Sequence, residues 1–208
     1  MKKDIRGTKK PLLILIGGTV GVGKSALSLR LASRLKIPEV VPTDAVREIL
    51  IAGGGSKDYF LDTTTHCAWR KIGAKNKKNI IEGYKKHCRS TLPAIIALAN
   101  NYLTRGKDCV IEGAHIPLID LKKIHGDGCV ILVLLELANE KIHRQRLDKK
   151  YIERHGRKKD NYDECADEFL MIQEFNRRHC RADLTVDAAR QNAAIGQIIG
   201  FIKQKANG

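Results

Sequence analysis

The stretch Leu12-Leu-Ile-Leu-Ile-Gly17-Gly18-Thr19-Val-Gly21-Val22-Gly23-Lys24-Ser25 runs from five large apolar residues straight into a glycine-rich turn. From Gly18 to Ser25 it satisfies the spacing GxxxxGK[ST], and a helical pattern follows as far as Leu35. Strand, glycine loop and helix in that order make a phosphate cradle. The glycines let the backbone curl so that successive N–H groups converge, and the helix opening near Lys24 adds its positive end. In such a loop Gly18, Thr19, Gly21, Val22, Gly23, Lys24 and Ser25 surround a nucleotide. Lys24 reaches the β- and γ-phosphates and Ser25 ligates Mg²⁺, so ATP and Mg²⁺ are the expected ligands.

Outward from this loop, short apolar runs alternate with longer helical stretches, the pattern of an α/β protein with a mostly parallel sheet. The runs are Leu12–Ile16, Glu39–Val41, Cys109–Ile111, Cys129–Leu135 and Leu184–Val186. Helices are expected over Lys24–Leu35, Ala45–Ile51, a bipartite region from about His66 to Leu103, Asn139–Arg154, Cys165–His179 and Gln191–Gln204. Pro93 should start, break or kink a helix inside the long region. The expected architecture is a P-loop NTPase three-layer αβα sandwich with about five strands. It is NMP-kinase-like, with a helical insertion over about 56–104 and a lid over about 143–162. Residues 1–10 read as a basic tail and 11–208 as one domain.

The chain has 208 residues, 43% of them apolar and 29% charged, enough for a proper core and against general disorder. Lys and Arg number 38 against 23 Asp and Glu, a formal charge of +15. Such a surface draws anions, both nucleic acid and phosphorylated metabolites. The six cysteines are scattered, with no CxxC and no Cys/His pair at zinc-ligand spacing. No apolar run approaches the ~20 residues needed to cross a bilayer, and no signal peptide is visible. The expectation is a reduced, cytoplasmic protein with no membrane partner.

Acceptor-side residues are sought beyond the strand ends, where doubly wound sheets bind their ligands. The second strand ends in Val41-Pro-Thr43-Asp44-Ala-Val-Arg47. Asp44 can accept a hydroxyl proton or stand behind the magnesium. Arg47, one helical turn on, can hold a carboxylate or phosphate with two hydrogen bonds. Thr43 or Asp44 would also serve as N-cap of the helix that follows. The third strand ends in Glu112-Gly113-Ala-His115. Glu112 can order Mg²⁺ through water, Gly113 lets a ligand approach the backbone, and His115 is either a substrate contact or a hydrogen-bonded structural residue. After the fourth strand comes a basic run in which a mobile lid would carry arginines to the phosphates. Arg144 is the first choice there and Arg154 and Arg157 the next, the remainder forming a solvated face.

These pieces, in order, resemble the archaeal-type 2-phosphoglycerate kinases. Ile16–Ser25, Thr43-Asp44-Ala-Val-Arg47-Glu, Leu61-Asp-Thr-Thr-Thr-His-Cys-Ala68-Trp69, Ile81-Glu-Gly83-Tyr84, Glu112-Gly-Ala-His115, and His143 with Arg144 carry the likeness. The resemblance implies phosphoryl transfer from ATP to 2-phosphoglycerate, giving 2,3-bisphosphoglycerate, a small phosphorylated anionic substrate that suits Arg47. Where that family has Ser-Ser-Tyr this chain has Thr64-Thr65-His66, and where its members usually carry an extra N-terminal domain this sequence starts almost at the phosphate loop. A polynucleotide or RNA-end kinase uses the same chemistry on a longer anion and would suit the +15, but aromatic residues make up only 5% and form no base-stacking cluster. An ATP-binding switch and a nucleotide kinase are the further alternatives.

Overall fold

β1 (Leu12–Gly17) is buried along its whole length, and its alternate side chains enter different cores. Leu12, Ile14 and Ile16 pack with Leu27 and Leu31 of α1 (Lys24–Leu35) and with Ile195 and Ile198 of α6 (Gln191–Asn207). Leu13 and Leu15 face Ile80, Tyr84 and Ile95 of α3 (Lys77–Thr104) and Ile172 of α5 (Ala166–His179). A strand buried on both faces needs a helical layer on each side, and the result is the expected αβα sandwich. The computed structural model describes residues 10–54, 58–155 and 165–207.

The sheet has five strands in the order β2-β3-β1-β4-β5, every pairing parallel. β2 is Val40–Pro42, β3 Cys109–Gly113, β4 Cys129–Glu136 and β5 Leu184–Asp187. In register, Glu112 lies beside Ile16 on one side and Pro42 on the other. The carboxyl ends of β1, β2 and β3 therefore open at one edge, and α1 and α2 (Thr43–Ala52) start there.

Two expectations about the helices are corrected. α2 begins at Thr43, with Pro42 at the cap position and no side-chain cap, so neither Thr43 nor Asp44 is the N-cap. The Thr43 hydroxyl is drawn off instead to a histidine described below. The bipartite region is a run of turns, with a 3-10 turn at Ala68–Lys71, followed by the 28-residue α3. The side chain of Asn76 starts α3 by accepting from the Asn79 N–H at 2.9 Å. Pro93 neither starts nor ends it. Pro93 and Arg89, whose carbonyl loses its helical partner, are both exposed, so water can satisfy that carbonyl.

Candidate active site

The glycines of the phosphate loop adopt the backbone that their pattern implies. Gly21 and Gly23 have φ of 85° and 92°, a region L side chains rarely enter. Lys24 Nζ donates to the Thr19 carbonyl across the loop at 2.8 Å. Ser25 Oγ, at the first turn of α1, donates to Glu112 Oε1 at 2.8 Å, tying the loop to the end of β3. Glu112 is buried yet lines the same cavity as Lys24 and Ser25.

That cavity measures about 430 Å³. Its floor is the phosphate loop with Glu112 and Gly113; one wall is Pro42, Asp44 and Arg47 from the start of α2; the other is Thr64, Thr65 and His66 with His87 of α3. Of the residues singled out from sequence, it gathers Lys24, Ser25, Asp44, Arg47 and Glu112. Arg47 Nη1 donates to the carbonyls of Leu61 (2.8 Å) and Thr63 (3.2 Å), and Nη2 pairs with Glu48. The guanidinium thus holds the opposite wall in place and still has donors beyond these three contacts.

His115 does not reach the cavity. It is fully buried behind the wall in a chain of neutral hydrogen bonds. His87 Nδ1 lies 2.8 Å from the Phe60 carbonyl, which can only accept, so this nitrogen carries the proton. His87 Nε2 then accepts from His115 Nε2–H at 3.0 Å, and His115 Nδ1 accepts from the Thr43 hydroxyl at 2.7 Å. Burial, with the neighbouring His87 and the cations Arg47 and Lys24, pushes His115 down to about 3. Burial also lowers His87, opposed by its bond to Phe60. Gly113 makes the chain possible, since a Cβ there would overlap Thr43 Oγ1. The openness expected of Gly113 for a ligand is taken up, on that side, by Thr43.

The basic run also departs from expectation. Arg144, on α4 (Glu140–His155), points to Glu140 (2.8 Å) and Asp167 (3.1 Å) and lies outside the cavity lining. The phosphate loop is touched instead by His143, with Nε2 2.7 Å from the Val20 carbonyl, and by Arg146, which donates to Val22 O at 3.2 Å. Arg146 also reaches the carbonyls of Ala188 and Ala189, both at 3.1 Å, after β5. The side chain of Arg154 and the whole of Arg157 lie outside the described residues. Nothing in the run set Arg146 apart from its basic neighbours. His87 carried no signal either, because its partner is 28 positions away.

No family model matches the chain. It is 31% identical over 141 residues to the 2-phosphoglycerate kinase of Methanocaldococcus jannaschii and 35% identical over 147 residues to that of Methanococcus vannielii. Against that of Pyrococcus horikoshii it is 30% identical over 178 residues. These alignments cover 66%, 66% and 83% of this chain, and 45%, 47% and 57% of the relatives. The chain thus spans about half the length of the curated relatives it matches. Among solved structures, a shikimate kinase from Bacteroides thetaiotaomicron superposes with a TM-score of 0.55 at 14% identity, over 95% of this chain and 99% of that one. A gluconokinase from Sinorhizobium meliloti 1021 gives 0.54 at 15% identity, over 96% of each. At such identities the likeness is one of fold. By sequence the chain is a relative of the archaeal proteins named 2-phosphoglycerate kinase, built on the fold of the small P-loop kinases.

Proposed function

We propose that this chain transfers the γ-phosphoryl group of ATP to the hydroxyl of a small anionic acceptor, and that the acceptor is 2-phosphoglycerate, giving 2,3-bisphosphoglycerate. The observation that carries the reading is one cavity of about 430 Å³ open both to Lys24 and Ser25 of the phosphate loop and to Asp44 and Arg47 of the second strand–helix junction. The names of the relatives supply the acceptor.

Loop amides and the start of α1 hold the phosphates, and Lys24 leaves the Thr19 carbonyl for the β- and γ-oxygens. The hydroxyl of Ser25 beside the carboxylate of Glu112, with Asp44 on the same cavity, is a set of hard oxygen donors that fits a partly hydrated Mg²⁺. When bound, that ion neutralises charge on the transferring group. Asp44 orients the acceptor hydroxyl and takes its proton as the new P–O bond forms. Arg47 pairs its remaining donors with the acceptor's phosphate or carboxylate. Because Arg144 is committed to Glu140 and Asp167, we assign the nucleotide-side arginine to Arg146, which already lies on the loop.

The deciding experiment measures ADP formed from Mg-ATP with 2-phosphoglycerate, with 3-phosphoglycerate, with an RNA oligonucleotide and with no acceptor. Turnover dependent on 2-phosphoglycerate is expected. Turnover with RNA alone would replace the reading with a polynucleotide kinase, and bound ATP without turnover in any tube would replace it with a nucleotide switch.

A further inference from the structure

Outside the phosphate loop, the described residues contain one cluster of soft ligands. His66, Cys67 and Cys165 each offer one ligand atom, nitrogen or sulfur, and the three atoms lie within 4.8 Å of one another. Cys165 sits at the cap of α5 and is buried, while His66 and Cys67 are half-buried on the segment that forms the cavity wall. Both thiols are free, not joined as a disulfide. One turn on from Cys165 along α5, the carboxylate of Glu168 is also buried; Oε1 pairs with Lys75 at 2.9 Å, and Oε2 has no hydrogen-bond partner. Unpartnered buried carboxylate oxygens are costly, and a cation nearby would relieve this one.

We propose that His66, Cys67 and Cys165 bind a zinc ion, a site that shares His66 with the cavity wall but none of the residues assigned to magnesium and the phosphates. Two sulfurs and an imidazole select a borderline-soft ion over Mg²⁺, which takes oxygens. Three protein ligands leave the fourth tetrahedral position for water. Binding replaces two S–H protons by two Zn–S bonds and releases those protons, so occupancy rises with pH. In the fold, the ion joins two elements 98 positions apart (165 minus 67), fixing the Thr64-Thr65-His66 wall to the start of α5. Its action is structural, so it does not depend on which acceptor is phosphorylated.

The test uses the full chain, stripped of metal and kept reduced, with Co²⁺ as a spectroscopic probe. One equivalent of Co²⁺ should give a near-ultraviolet thiolate-to-metal band and strong visible bands of tetrahedral geometry, and Zn²⁺ should abolish both by displacement. Zn²⁺ should also raise the melting temperature of the wild type as its concentration rises, since the assembled site binds it more tightly than the unfolded chain does. Cys67→Ser and Cys165→Ser should each lose the charge-transfer band, whereas Cys180→Ser, a thiol outside the cluster, should keep it. A wild-type protein that gives only the weak spectrum of octahedral, oxygen-bound Co²⁺ overturns the proposal. So does an unchanged band in the Cys67→Ser, Cys165→Ser double variant, or a Cys67–Cys165 disulfide persisting under reductant.

Discussion

Gly113 shows how one missing atom organises the site. A Cβ at this position would overlap Thr43 Oγ1, so an alanine there must displace Thr43 and cut its bond to His115. Gly113→Ala is therefore expected to cost about 1–3 kcal/mol, read as a lower urea midpoint, the usual range for overpacking a closed interior. Adding Thr43→Ser should leave much of that loss in place, since the clash is with the hydroxyl oxygen itself; recovery to wild-type stability would remove the steric account. Two further substitutions separate the halves of the cavity. Lys24→Ala removes charge stabilisation that grows during transfer, so kcat should fall by roughly two orders of magnitude or more. Arg47→Ala should mainly raise KM for the acceptor, and steady-state kinetics with each substrate varied in turn distinguish the two. The phosphate-loop residues were legible in the sequence because their geometry is local, within eight consecutive positions from Gly18 to Ser25. Asp44, Arg47 and Glu112 were legible because strand ends are where such sheets bind ligands. The role of His115 stayed open between substrate contact and structural residue, because it depends on partners, here Thr43 and His87, that lie far off in sequence.

At the scale of elements, the His87–His115 chain links α3, the end of β3, the first residue of α2 and the Phe60 turn through three hydrogen bonds. The Nε2–Nε2 bond between the rings needs one of those nitrogens unprotonated, because a hydrogen on both would set donor against donor, so the chain cannot hold two charged rings. The unfolded chain protonates these rings near the ordinary value of about 6.5. His115 when folded does so only at about 3, and His87 is lowered as well. Below about pH 6.5 the unfolded state therefore binds more protons, and stability must fall as pH falls, by up to about 1.4 kcal/mol per pH unit for each ring. His143, also lowered chiefly by burial, adds a slope of the same sign. Urea midpoints at pH 7.5, 6.5 and 5.5 should decline in the wild type, and His115→Asn should show a shallower decline. Equal slopes in the two proteins would mean that His115 is charged or exposed in solution. The strands around this chain were legible because continuous apolar runs survive wherever a strand is buried on both faces, as in β1 and β4. The single span of α3 was not, because Pro93 signals a break that an exposed helix face can absorb.

Across the whole molecule, the α/β class followed from the alternation of runs and helices, but the order β2-β3-β1-β4-β5 is not the chain order and no local pattern encodes it. The meeting of Cys67 with Cys165 is hidden for the same reason, since spacing rules for metal ligands describe neighbours in sequence. What the sequence does state globally is charge. A surplus of +15 acts at long range, and the proposed acceptor and ATP are both multiply anionic. Steering of this kind acts through solvent, where the screening length shrinks from roughly 30 Å at 0.01 M salt to roughly 10 Å at 0.1 M. Contacts inside the cavity are shielded from salt far more weakly. Raising ionic strength at constant Mg²⁺ should therefore lower kcat/KM for the acceptor several-fold while kcat changes little. If kcat/KM stays flat across that range, the surplus does not serve capture of the small anion. A salt dependence far steeper for RNA binding than for acceptor turnover would instead assign the charge to a polyanion, because each phosphate contact on such a chain releases a counterion of its own.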